Sequence, residues 1–138
     1  MVVLSIIGII IGLILIALFI QISNEHSVKV YGYEIFNIGN FVVSMLGYLG
    51  IYFGNGWYTD ALKVQGDILN GVLLIVIGVL FLLSVIYLNI KNTSLIYGLV
   101  MSIVTEIFYV TATPIVLFGL LIAAAFFAET KPVYVIND

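Results

Sequence analysis

Cysteine is absent from the 138 residues, and so is arginine. Without thiols there can be no disulfide, thiolate nucleophile, thiolate metal site or palmitoyl anchor, and the redox compartment is left open. Without arginine the two-pronged clamp that commonly holds phosphate or carboxylate is missing. The four lysines (Lys29, Lys63, Lys91 and Lys131) are scattered, and seven acids bring the net charge to −3. No basic footprint for nucleic acid exists, and no polybasic cluster marks an anionic lipid surface. Histidine occurs once, as His26. Zinc needs three or four converging ligands, so His26 beside Glu25 and Glu34 reads as a solvated loop residue. No Ser-His-Asp set, phosphate-cradling glycine loop, paired-histidine haem arrangement or TVGYG filter is present. The chain is not expected to be an enzyme or to carry a metal or cofactor.

Charge of either sign is scarce as well. Only 8% of the residues are charged and 64% are hydrophobic, whereas a soluble domain carries about 25% charged residues. Three stretches reach the roughly 20 apolar residues that cross a bilayer, and a fourth comes close. The expected fold class is therefore all-α: a polytopic integral membrane protein with four transmembrane helices. Residues 1–138 form one domain, with approximate spans 1–21, 37–56, 67–90 and 95–120. There are no internal repeats or low-complexity linkers.

Met1–Ile20 is apolar except for Ser5 and lacks the charged start and cleavage site of a signal peptide, so it reads as an uncleaved first helix. Gly8 and Gly12 make a GxxxG pair that would let another backbone approach. Gln21–Asn40 is the most polar segment. Within it Ser27–Phe36 alternates around Tyr31–Gly32, which predicts a small surface β-hairpin. The second span carries a small-residue face of Ser44, Gly47, Gly50 and Gly54. Tyr48, Tyr52, Trp57 and Tyr58 gather toward its far end as an interfacial aromatic belt would. Asn55–Gly56 reads as a break, after which Thr59 caps a short amphipathic helix with Asp60, Lys63 and Asp67 on one face. The third span, Ile68–Ile90, has Asn70 and Ser84 as its polar residues and Gly71 and Gly78 as a close-packing seam. Lys91–Ser94 is a tight turn, so the last two helices form an antiparallel hairpin. Pro132 ends any helix in the tail, and Val133–Ile136 suits an extended strand.

The last run, Leu95–Ala128, holds the only carboxylate embedded in apolar sequence, Glu106. Gly98, Ser102, Thr105, Glu106, Tyr109 and Thr113 recur at helical spacing and fall on one face. Leu99, Val100, Ile103, Val104, Ile107 and Val110 occupy the other side. A carboxylate in the hydrocarbon core costs about 2.5–3.5 kcal/mol on insertion scales, so Glu106 should face helices or water rather than lipid. Ser102 and Thr105 are its nearest candidate hydrogen-bond partners. A straight helix over this run is about 51 Å long against a hydrocarbon core of about 30 Å. If the span begins at Leu95, Glu106 sits near the midplane; if it begins near Val104, Glu106 sits at an interface. Pro114 predicts a kink or break at Thr111–Pro114, with Thr111 and Thr113 covering the freed carbonyls.

These features suit a non-catalytic subunit of a larger membrane complex, packed through Gly8, Gly12, Gly47, Gly50, Gly54, Gly71, Gly78 and Gly98. One alternative is a homo-oligomeric cation or proton channel or transport unit, lined by Glu106 and the Ser/Thr stripe. Another is a membrane-embedded immunity protein. The expected partners are lipids and other membrane subunits or copies of the same chain. With two lysines on each side of a four-span topology the charge rule is nearly tied, and the terminal amine tips both termini toward the cytoplasm.

Overall fold

A computed structural model of the chain describes residues 1–129. Four helices follow in order: α1 (Val2–Tyr31), α2 (Ile38–Lys63), α3 (Leu69–Asn92) and α4 (Leu95–Glu129). Three of them, α1, α3 and α4, are long and apolar enough to cross a membrane. Among the described residues there is no strand. The stretch Val133–Ile136, where sequence suggests extended chain, lies outside the described residues.

The hairpin expected at Ser27–Phe36 is not formed. Helix α1 runs eleven residues past its apolar stretch, to Tyr31, and is capped by Gly32, which adopts the left-handed conformation at φ 69° and donates its N–H to the Val28 carbonyl. A side chain at this φ is strained, so glycine caps the helix instead of turning a hairpin. The residues beyond it do find a partner, in the form of an amide side chain. Asn24 accepts the Phe36 N–H and donates to the Phe36 carbonyl, both at 2.8 Å. That reciprocal pair gives Phe36 what a neighbouring strand would have given it.

Asn37 then caps α2, its side-chain oxygen accepting the Asn40 N–H at 2.8 Å. The break expected at Asn55–Gly56 is also absent, because α2 continues to Lys63. Thr59 lies inside that helix and bonds back to the Gly56 carbonyl. Helix packing overrides the turn signal. Gly54 is buried against Gly71, so close that a Cβ on Gly54 would sit 2.8 Å from the Gly71 carbonyl. Asp60 and Lys63 pair at 3.2 Å on the exposed surface. Asp67 does not join them. It lies past the turn, where it accepts the Leu69 N–H at the start of α3.

The α2–α3 pair forms the tightest contact in the molecule. A Cβ on Gly78 would lie 2.5 Å from the Gly47 carbonyl, and one on Gly71 would lie 2.6 Å from the Tyr58 nitrogen. Gly50 meets Leu74 and Gly78 in the same seam. The turn to α4 is tight for the same reason, since Gly98 rests on the backbone of Ile90. Ser94 caps α4 by accepting the Tyr97 N–H. Helix α4 runs unbroken through Pro114, so Pro114 does not interrupt it. The threonine hydroxyls bond one turn back: Thr111 to Ile107 and Phe108, and Thr113 to Tyr109. Gly8 and Gly12 differ from the other packing glycines, as nothing lies within 4 Å of where their Cβ atoms would be.

The burial pattern is inverted relative to a soluble bundle. Ser27, Asn40, Ser44, Asn89, Ser102, Thr105 and Thr113 are buried, while Val2 to Leu18 of α1 present their large side chains outward. Polar groups inside and aliphatic groups outside suit a hydrocarbon surrounding, and each of these buried side chains except Ser27 finds an internal hydrogen-bond partner among the described residues.

Candidate intramembrane polar site

Glu106 turns toward α2. Its Oε1 accepts a hydrogen bond from the Ser44 hydroxyl at 2.8 Å, and its Oε2 from the Tyr48 hydroxyl at 2.5 Å. The Tyr48 hydroxyl also lies 3.1 Å from the Glu106 carbonyl. Ser102 and Thr105 do not serve as its partners. Each is a helix-interior hydroxyl that donates back along its own helix, Ser102 to Gly98 at 2.6 Å and Thr105 to Ser102 at 3.0 Å. This is the usual fate of buried serine and threonine in a helix, since the preceding turn offers a carbonyl within reach. Among the described residues no cation approaches Glu106, and the one ion pair is Lys63–Asp60.

A second cluster lies one to two turns nearer the α1–α2 loop. Asn89 is fully buried near the end of α3. Its oxygen accepts from Asn40 at 2.9 Å and from Tyr33 at 3.1 Å, and its amide donates to Ser102 at 3.0 Å. Asn40 also donates to the Tyr33 hydroxyl at 2.8 Å. One amide therefore joins the loop, α2, α3 and α4. Tyr109 reaches up from α4 to the same region, since helical side chains lean toward the N-terminus. Its hydroxyl accepts the Asn37 N–H at 3.3 Å and lies 3.4 Å from the Asn37 carbonyl.

Helix α1 joins this end through rings. Phe19 stacks on Phe108 at 5.7 Å and meets Phe36 edge-on at 6.2 Å. Tyr97 contacts both His26 and Tyr31, and the Tyr31 hydroxyl is 3.4 Å from that of Ser94. Offset and edge contacts of this kind add about 0.5–1.5 kcal/mol each beyond area burial. His26 is exposed, and no group of three or more metal-binding side chains occurs among the described residues.

The stripe read from the sequence of α4 thus divides by function. Glu106 and Tyr109 reach across to α2 and its preceding loop, Ser102 receives Asn89, and Thr105 and Thr113 satisfy their own helix. Five participants escaped sequence reading: Asn24, Tyr33, Asn37, Asn40 and Asn89. Asn89 carried a usable signal, because it lies inside the apolar run of α3. The two polar residues singled out in that run, Asn70 and Ser84, are both exposed. Ser44 was visible only as a small residue and Tyr48 only as part of an aromatic belt. Comparison with protein-family models, curated proteins and solved structures finds no match to the chain.

Proposed function

We infer that the chain is a non-catalytic, multi-pass subunit of a larger membrane assembly, with α2 as a fourth crossing and the polar site as its internal fastener. The observation that carries this reading is the uneven use of the helices. The α2–α3 pair and the first half of α4 are packed to backbone contact and cross-linked by buried polar bonds. The first half of α1 makes no comparable contact: Val2 to Leu18 are outward-facing, and the Gly8–Gly12 face is open. The end of α4 also leaves Phe118, Leu120, Leu121 and Phe126 exposed. Long apolar faces with small residues suit neighbouring helices of other subunits, with lipid between them.

A conduit asks Glu106 to face a water-filled axis. Its two hydroxyl partners on α2 of its own chain argue for a fastening role instead. No observation favours an immunity role.

The natural lack of cysteine makes a direct test simple. Single cysteines at Gly8, Leu15 and Phe126 are treated with a short bifunctional maleimide in native membranes. The reading expects crosslinks to distinct, larger polypeptides from these positions and none from buried Ser44→Cys. Products limited to copies of the chain itself would sink it.

A further inference from the structure

The last eleven residues of α1, Gln21 to Tyr31, are the polar end of a helix that is otherwise aliphatic. Two anchors fix their level. The Tyr31 hydroxyl lies 3.4 Å from that of Ser94 in the α3–α4 turn, and Phe19 stacks on Phe108. Ser94 to Phe108 is about 21 Å of helix and Tyr31 to Phe19 about 18 Å, so the two segments run side by side in opposite directions. Asp67 and Lys91 bracket the apolar stretch of α3, with no charged residue between them. That interval is about 35 Å long, against a hydrocarbon core of about 30 Å. With the bilayer set by that stretch, Tyr31 lies at the membrane surface. Glu25, about 9 Å of helix further in, lies within the hydrocarbon. At the same level α4 presents Leu99, Val100 and Ile103 outward.

Asn24, Ser27 and Tyr31 form the face of α1 that meets the rest of the chain. Asn24 holds Phe36, Ser27 is fully buried, and Tyr31 rests on Tyr97. Gln21, Glu25 and Lys29 recur one turn apart on the far side, and all three are exposed. Gln21 donates to Glu25 at 2.8 Å, which supplies one hydrogen bond but no positive charge. Lys29 makes no hydrogen bond or ion pair among the described residues. Charged side chains at this depth face protein or water rather than lipid, and they pair with other polar groups. The chain's own bundle is behind these two, so the groups that meet them belong to another molecule. A parallel copy of α1 does not serve. It sets Glu25 against Glu25 and Lys29 against Lys29 at equal depth, and like charges so placed repel.

We propose that this stripe is the contact for a transmembrane helix of a different subunit. That helix carries a basic side chain at the depth of Glu25 and a carboxylate one turn nearer the surface, opposite Lys29. The proposal rests on the subunit reading and names the face of α1 that is recognised and the chemistry that recognises it. An acid and a base one turn apart accept such a partner in one register only, since a slip of one turn opposes like charges.

The test uses the full chain in its native membrane, with Ile22→Cys, exposed beside the stripe, carrying a maleimide–diazirine crosslinker. Crosslinked peptides are sequenced by mass spectrometry. The expected product is one apolar helix with a lysine or arginine and, three or four residues away, a carboxylate. Exchanging the two charges, Glu25→Lys with Lys29→Glu, keeps the net charge and leaves an acid and a base at i and i+4. It opposes the partner, and should lower the crosslink about ten-fold. Reversing both charges on the partner helix should restore it, and the exchanged chain should keep its helicity. A crosslink kept within about two-fold after exchange means that Glu25 and Lys29 satisfy each other, and overturns the proposal. So do labelling of lipid alone, crosslinks only to copies of the chain, a partner helix without the two charges, or failure of the partner's reversal to restore the crosslink. In each of these cases a larger particle of fixed stoichiometry still upholds the subunit reading, and its absence defeats both.

Discussion

Replacing Gly78 by alanine should loosen the α2–α3 pair, although alanine is the better helix former. Two effects oppose each other. Alanine gains about 1 kcal/mol over glycine in a helix interior. Against that, the new Cβ would stand 2.5 Å from the Gly47 carbonyl and 2.9 Å from the Ile51 nitrogen. Both are backbone atoms, so no side-chain rotation relieves the contact. To reach an ordinary carbon–oxygen separation the helices must part by nearly 1 Å, and a gap of 0.5–1 Å forfeits a quarter to a half of the dispersion energy of the atoms lining it. Overpacking of this kind costs about 1–3 kcal/mol and occasionally more. Because two backbone contacts are violated at once, the cost is placed at the upper end, about 2–3 kcal/mol, so the expected net loss is about 1–2 kcal/mol, and Gly71→Ala should behave alike. Gly8→Ala and Gly12→Ala, whose Cβ atoms meet nothing, are the controls and should be neutral or slightly stabilising for the isolated chain. Reversible unfolding in mixed micelles, followed by circular dichroism, gives all four values. Gly78→Ala matching or exceeding the parent protein would refute the claim that these helices touch backbone to backbone.

Asn89→Leu should cost about 1–3 kcal/mol by the same assay, since it strands the donors of Asn40 and Tyr33 in a buried site, whereas exposed Asn70→Leu should stay within about 0.5 kcal/mol. A double-mutant cycle between Tyr48→Phe and Glu106→Gln should show a coupling of about 0.6–1.7 kcal/mol, the range measured for hydrogen bonds between membrane helices. Thr105→Val paired with Glu106→Gln should show none, because Thr105 bonds only to Ser102. Gly32→Ala should lose about 1–2 kcal/mol of local stability from its left-handed φ of 69°, read as faster amide exchange over the last two turns of α1.

Much of the fold was legible because hydropathy and glycine spacing act over whole helices. The apolar stretches Met1–Ile20, Ile68–Ile90 and Leu95–Ala128 each fall in a helix, with Met1 and Ile68 as the capping residues of the first and third, and Gly71 and Gly78 became the seam they suggested. What misled were local signals that packing overrode. The alternation at Val28 and Val30 looks like strand, yet both lie in helix that runs on to the Gly32 cap, and Asn24 takes the Phe36 backbone groups a strand partner would have taken. Asn55–Gly56 looks like a turn, yet Gly54 against Gly71 keeps α2 straight through it. The site was half legible for a related reason. A stripe on α4 shows which residues avoid lipid, but no spacing within α4 can reveal that Ser44 and Tyr48, some 60 residues earlier, supply the donors. Partners across helices are set by tertiary register, and the small size of Gly47 and Gly50 fixes that register without marking which neighbour it serves.

The most direct test of the fastened-subunit reading is the mass of the particle released from native membranes directly into polymer-bounded nanodiscs, without detergent. The account predicts a particle well above the chain's 15.2 kDa, with other membrane polypeptides at fixed stoichiometry, and with Glu106→Gln leaving ion flux through it unchanged. A symmetric ring of this chain alone, whose cation flux disappears with Glu106→Gln, would contradict it.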